Sequence, residues 1–228
     1  MKISEIFYSV QGEGALIGLP SVFVRTSGCN LRCTWCDTPY TSWQPEGREL
    51  SVAEIMAEAG QHKAARHVVI TGGEPMIAPA IVELTQACRD AGLHITIETA
   101  GTVFQPVVCD LLSISPKLAN STPHQRDQGR WAAQHERLRI QPEVLIKLIH
   151  HAPYQLKFVV QSAADMAEIA ELVALLHADP AQVILMPEGT SASVLRERAL
   201  ALVEICKRTG YRMSPRLHVD LWGNRRGV

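Results

Sequence analysis

The sequence has 228 residues, 46% of them apolar and 20% charged, close to the soluble globular average. That length suits a single domain over residues 1–228 with a core that needs no disulfides, and the composition excludes disordered, collagen-like and mucin-like classes. Twenty-two Lys and Arg against 23 Asp and Glu leave a net charge of −1, so no overall positive field marks a nucleic-acid binder.

The chain opens MKISEIFYSVQGEG, which lacks the apolar run of a secretory signal. No stretch reaches the ~18–20 apolar residues of a membrane span, so a cytoplasmic protein with no membrane partner is expected. A first buried strand is predicted over 21–26. Ser51 with Glu54 three residues on predicts a capped helix over 51–61. A strand over 67–71 and a helix over 78–91, stopped by Gly92, come next. Strands over 94–98 and 111–115 follow, then a polar stretch, 117–141, read as a surface excursion. A strand over 156–160, a helix over 163–177, a strand over 183–186 and a helix over 191–209 ending at Gly210 complete the series. The alternation predicts a parallel α/β fold. About six units is two short of a closed eight-unit barrel, so an incomplete, open barrel is expected.

Six cysteines are distributed unevenly. Cys29, Cys33 and Cys36 fall within eight residues (GCNLRCTWCDT), whereas Cys88, Cys109 and Cys206 sit in apolar stretches and read as inert core residues. In a reducing compartment clustered cysteines point to metal or catalysis. Soft thiolates select zinc or iron–sulfur. A structural zinc normally takes four protein ligands, and no second Cys or His pair supplies the fourth. Three ligands leave one position open for another group. A second motif, TGGEP at 71–75, follows the predicted strand 67–71 directly. Its two glycines allow close backbone approach to a ligand, and Glu74 could address a ligand ammonium; a plain strand-to-helix turn is the alternative.

The C-x3-C-x2-C triplet, with an aromatic residue before its third cysteine, resembles the radical S-adenosylmethionine (SAM) superfamily. The resemblance implies a [4Fe–4S] cluster whose open iron chelates SAM, and reductive cleavage of SAM to a 5′-deoxyadenosyl radical. The GGEP motif after the second predicted strand agrees in order and spacing. QGEG, the CNLRCTWCDT loop, TGGEP, ETAGT, SPK and the C-terminal LWGNRRGV narrow the likeness to the 7-carboxy-7-deazaguanine synthase family. That resemblance implies a Mg²⁺-dependent lyase of queuosine biosynthesis. It would convert 6-carboxy-5,6,7,8-tetrahydropterin to 7-carboxy-7-deazaguanine, releasing ammonia by ring contraction. The alternative is another small radical SAM enzyme, such as a glycyl-radical-activating enzyme.

Site residues follow by position in those motifs. Cys29, Cys33 and Cys36 would hold the cluster. Trp35, Cys36, Asp37, Gly73, Ser115, Pro116, Lys117, Met186, Pro187, Glu188 and Gly189 would border SAM. Val10, Gln11, Gly12, Arg25, Thr71 and the C-terminal Val228 would form the substrate site, and Thr38 would bind Mg²⁺. Plainer roles stand beside these: core packing for Trp35, a structural ion pair for Arg25, a turn hydrogen bond for Thr38, a solvated charge for Lys117. A flavodoxin- or ferredoxin-type reductant and a homodimer are implied by the resemblance alone.

Overall fold

The computed structural model describes all 228 residues, Met1–Val228. Nine strands form one open sheet: β1 (Lys2–Val10), β2 (Pro20–Thr26), β3 (Arg48–Glu49), β4 (His67–Gly72), β5 (His94–Thr99), β6 (Leu111–Ile114), β7 (Tyr154–Val160), β8 (Val183–Pro187) and β9 (Arg212–Met213). Their order is β3-β1-β2-β4-β5-β6-β7-β8-β9. From β2 to β9 every neighbouring pair is parallel, while β1 runs antiparallel to both β2 and β3. The two ends of the sheet do not meet, which is the incomplete barrel the alternation predicts. The six predicted strands are β2 and β4 through β8. The other three carry weaker signals: β1 has Ser4 and Glu5 at a register shift, and β3 and β9 have two residues each.

Eight helices accompany the sheet: α1 (Pro39–Ser42), α2 (Val52–Ala59), α3 (Ile81–Asp90), α4 (Ala132–Arg139), α5 (Pro142–His151), α6 (Met166–Leu175), α7 (Ala192–Thr209) and α8 (Leu217–Trp222). Helix α2 starts where the capping box places it. The Ser51 hydroxyl accepts from the Glu54 amide at 3.3 Å, and the Glu54 carboxylate accepts from the Ser51 amide at 2.8 Å. Helix α7 stops at Gly210, whose φ of +75° is a left-handed cap that favours glycine.

Pleating sorts the strand residues onto two faces. Val24, Ile70, Ile97, Ile114, Phe158 and Leu185 point toward the helices and join a core of 30 buried residues. The alternate positions Arg25, Thr71, Glu98, Ser113, Lys157 and Met186 point the other way and line a cavity. Register aligns them, with Arg25 opposite Thr71 and Glu98 opposite Ser113.

Stretch 117–141 lies at the surface as expected, with Gln125, Asp127, Gln128 and Arg130 exposed, but it is more regular than its sequence indicates. It holds two 3-10 turns (Ala119–Ser121 and Arg126–Gly129) and α4, and it clamps the cysteine loop. Thr34 N donates to Ser121 O at 2.7 Å and Arg126 Nη1 to Thr34 O at 2.9 Å. Buried His135 sits under the loop, with Nδ1 accepting from Arg32 N at 3.2 Å and Nε2 2.8 Å from Ser121 Oγ. An accepting Nδ1 fixes the neutral tautomer with its proton on Nε2.

Candidate active site

The cysteine loop follows β2 and lies over the C-terminal ends of the parallel strands, where open α/β sheets place their ligands. Three sets of contacts hold it there. Gly73 N donates to Thr26 O at 3.2 Å, Glu74 N to Gly28 O at 2.9 Å and Gly28 N to Thr41 O at 2.8 Å. A Cβ at Gly73 would stand 2.0 Å from the Gly28 carbonyl oxygen, so the second TGGEP glycine is required by this close approach. Asn30 Nδ2 donates to Thr102 Oγ1 at 3.0 Å, tying the loop to the ETAGT segment after β5. The clamp completes the set.

Cys29, Cys33 and Cys36 are free thiols bordering one cavity of about 490 Å³. They pack with Leu31, Trp35, Ala100 and Leu138 in a small apolar cluster of their own. Burial pushes the Cys29 thiol up to about 12 and raises Cys33 as well, so metal must drive their ionisation. Three soft sulfur donors in one loop, bordering an open cavity, fit an iron–sulfur cluster with three protein ligands and one position left for another group. The remaining cysteines behave as expected: Cys88 is buried in the main core, and Cys109 and Cys206 pack against it.

Of the other residues predicted from sequence, Val10, Gln11, Gly12, Arg25, Trp35, Asp37, Thr38, Thr71, Gly73, Ser115, Lys117, Met186 and Val228 all line the cavity. Four do not. Pro116 is not part of the lining, and neither is Pro187, the buried last residue of β8. The Glu188 carboxylate pairs with Arg198, and the Gly189 carbonyl accepts from Arg216 Nη1 at 2.6 Å. Glu74 is also redirected. Its fully buried carboxylate accepts from Thr99 Oγ1 (2.7 Å), Ala100 N (2.8 Å) and Met76 N (3.0 Å), fastening the TGGEP turn to the end of β5. It does not line the cavity.

Some plainer roles coexist with cavity positions. Arg25 Nε donates to Glu5 at 2.6 Å while the side chain lines the cavity. Trp35 Nε1 donates to Asn120 at 3.1 Å. Lys117 Nζ donates to Ser115 O at 2.6 Å and to Ser115 Oγ at 2.9 Å, with no carboxylate partner. Thr38 Oγ1 lies 3.4 Å from Thr41 Oγ1.

The sequence reading missed a wall of paired charges. Glu13 pairs with Lys157 and, at 3.0 Å, with Arg216. Arg216 also pairs with Asp37, and Lys157 lies 3.7 Å from Glu98. Gln11 Nε2 (3.2 Å) and Thr71 Oγ1 (2.9 Å) each donate to a Glu98 oxygen. His218 closes the wall, packed so tightly on Gly12 that a Cβ there would meet its Nδ1 at 2.1 Å. Burial alone would raise the Glu13 carboxyl, but Lys157 and then Arg216 overcome it and hold it well below the usual range. Burial opposes Asp37 in the same way, and Arg216 keeps that carboxyl low. His218 is pushed down by burial and favours the neutral form. The site is therefore strongly charged yet internally balanced.

Comparison with known proteins agrees with this geometry. Residues 23–119 match the family model of the Radical SAM superfamily. The chain is similar to the 7-carboxy-7-deazaguanine synthase of Halobacterium salinarum, at 45% identity over 98% of this chain and 91% of that protein. The same enzyme of Rhodopirellula baltica is 47% identical, with 100% and 89% covered. Among solved structures, QueE from Escherichia coli superposes with a TM-score of 0.70 at 27% identity, covering 95% of this chain and 94% of that one. A TYW1 structure shares the fold, at a TM-score of 0.58 and 14% identity. The three-cysteine loop, the partial barrel and whole-length similarity converge: the chain belongs to the 7-carboxy-7-deazaguanine synthase family of radical SAM enzymes.

Proposed function

We propose that this chain converts 6-carboxy-5,6,7,8-tetrahydropterin to 7-carboxy-7-deazaguanine and ammonia. One observation carries the proposal beyond family membership: the cysteine loop and the paired charges border the same cavity. When bound, a [4Fe–4S] cluster and SAM supply a radical able to remove hydrogen from carbon. Substrate and products contain the same atoms, so the conversion is redox-neutral and SAM can be regenerated.

The chain's own residues then do the binding and orienting. Cys29, Cys33 and Cys36 hold the cluster, and Trp35, Asp37, Gly73, Ser115, Lys117 and Met186 border SAM. Arg25, its Nε held by Glu5, turns its terminal nitrogens to the substrate carboxylate. Thr38 gives one oxygen to Mg²⁺, an ion that keeps waters and takes few protein ligands. Glu13 and Glu98 present acceptors suited to the N–H edge of a pterin, and Lys157 between them offsets their charge. Gln11 and Thr71 fix the Glu98 carboxylate, and Val228 closes the cavity.

No helix is long and apolar enough to cross a membrane, and a cytoplasmic homodimer fed by a flavodoxin- or ferredoxin-type reductant fits this chemistry. The test is anaerobic turnover of reconstituted protein with SAM, reductant, Mg²⁺ and the tetrahydropterin, followed by mass. Appearance of 7-carboxy-7-deazaguanine is expected. Formation of 5′-deoxyadenosine with the pterin left unchanged would contradict the proposed substrate.

A further inference from the structure

The last five residues, Asn224–Val228, border the same cavity as Arg25. Arg226 makes all the side-chain hydrogen bonds and ion pairs of this tail. Its Nη1 pairs with Glu46 at 3.0 Å, its Nη2 donates to Ser4 Oγ at 3.2 Å, and its Nε donates to Glu5 Oε2 at 3.3 Å. The guanidinium also lies 4.0 Å from the Tyr40 ring centre. Glu5 is the shared partner in this arrangement. It faces Arg25 across the β1–β2 pair, and its other oxygen, Oε1, accepts from Arg25 Nε at 2.6 Å and from the Tyr40 hydroxyl at 3.0 Å. One carboxylate therefore touches both the cavity arginine and the tail. Nε is the one Arg25 donor bonded within the protein; both terminal nitrogens are uncommitted.

We propose that Arg226 is a positioning residue for the substrate: by occupying the outer oxygen of Glu5 it keeps the terminal nitrogens of Arg25 free for the substrate carboxylate. The inference rests on the reading of Arg25 as the carboxylate anchor and adds the residue that keeps that anchor available. An arginine beside a carboxylate frequently settles into a two-bond fork, with two of its nitrogens on the two oxygens. Arg25 and Glu5 make only one of those bonds, because Arg226 takes the second oxygen. Loss of Arg226 frees Glu5 Oε2 to draw in a terminal nitrogen of Arg25. The incoming substrate then competes with a carboxylate already in place. Charge balance works in the same direction. Arg25 and Arg226 stand against Glu5 and Glu46, and without Arg226 the whole charge of Glu5 falls to Arg25. The Glu5 side chain is 13% exposed, so that pull is weakly screened by solvent. A tail serving only as a cavity wall needs no contact with the carboxylate that holds the anchor.

The test measures binding of 6-carboxy-5,6,7,8-tetrahydropterin to reconstituted enzyme with SAM and Mg²⁺. Reductant is omitted, so binding is read without turnover. Arg226→Gln is expected to weaken pterin binding on the order of tenfold, with SAM affinity and iron content unchanged and kcat at saturating pterin within about twofold of wild type. Arg226→Lys keeps a positive charge for Glu5 and is expected to bind within about threefold of wild type. The deciding variant joins Glu5→Gln to Arg226→Gln. A neutral amide still accepts from Arg25 Nε but holds no charge to capture its terminal nitrogens, so binding is expected to recover to within about threefold of wild type. Arg208→Gln on α7 is the control and is expected to bind like wild type. Equal pterin binding by wild type and Arg226→Gln would overturn the inference. So would a double variant that binds no better than Arg226→Gln, which would leave the tail a wall and nothing more. Loss of SAM affinity or iron in Arg226→Gln would overturn it too, by making Arg226 structural. Failure of wild type to bind the pterin, or binding by Arg25→Gln as tight as wild type, would instead overturn the reading of Arg25 beneath it.

Discussion

The two faces of the central strands share a backbone and differ in almost everything else. On β7, Leu156, Phe158 and Val160 enter the apolar core, while Gln155, Lys157 and Val159 face inward and Lys157 meets Glu13. The helix-facing side is held by non-directional burial and tolerates any packing of the right volume. The cavity-facing side is held by directional pairs, each costly to leave unpaired. One face supplies stability and the other spends part of it on a charged site. Stretches of a parallel sheet are usually apolar on both sides, so this asymmetry within single strands marks the functional face.

That contrast can be broken experimentally. Phe158→Ala is expected to cost about 3–5 kcal/mol of stability, read from denaturant unfolding, while the folded protein keeps its turnover. Loss of turnover at unchanged stability would place Phe158 on the wrong face of the argument. Arg216→Met should do the reverse. Glu13 keeps Lys157 and Asp37 stays partly solvated, so the stability loss is expected to be smaller, about 1–3 kcal/mol, while kcat/KM falls on the order of 100-fold. Turnover that survives Arg216→Met would reduce the charged wall to scaffolding. Thr38→Ala is expected to raise the Mg²⁺ needed for half-maximal turnover about tenfold, worth about 1.4 kcal/mol, with iron content unchanged. Loss of iron would make Thr38 structural. The smallest effect concerns the clamp. Burial pushes His135 down to about 4 from its ordinary 6.5, so the folded protein holds the imidazole neutral where the unfolded chain protonates it. Its contribution is complete above pH 6.5 and is lost as pH falls toward 4. Wild type should therefore lose stability relative to His135→Gln between pH 7 and pH 5, and parallel pH profiles would contradict this.

Much of this was legible in the sequence, for identifiable reasons. Strands β2 and β4 through β8 are β-branched apolar runs bounded by turn residues, and the cysteine triplet and TGGEP are contiguous motifs whose spacing survives folding. The charged wall was not read because Glu13, Glu98, Lys157, Arg216 and His218 meet only in three dimensions. A trace of it was present all the same: Lys157 in YQLKFVV and Glu98 in HITIET are charges inside buried strands, which must find partners. The clamp left no such trace. Helix α4 is polar on every side except where His135 and Leu138 meet the cysteine loop, some hundred residues away. Of the segment after β8, Met186 lines the cavity, while the Glu188 carboxylate pairs with Arg198, a partner that the contiguous motif does not reveal.

The most direct test of the division between the two faces compares their cysteines. Cys33 lies in the loop over the cavity and Cys88 in the helix-facing core. Iron and acid-labile sulfide content, with the electron paramagnetic resonance signal of the reduced protein, would be measured after anaerobic reconstitution of wild type, Cys33→Ala and Cys88→Ala. A full cluster complement in wild type and Cys88→Ala, and its loss in Cys33→Ala, is the expected result. A cluster that survives Cys33→Ala, or one that disappears with Cys88→Ala in a folded protein, would contradict the assignment of the chemistry to the loop above the sheet.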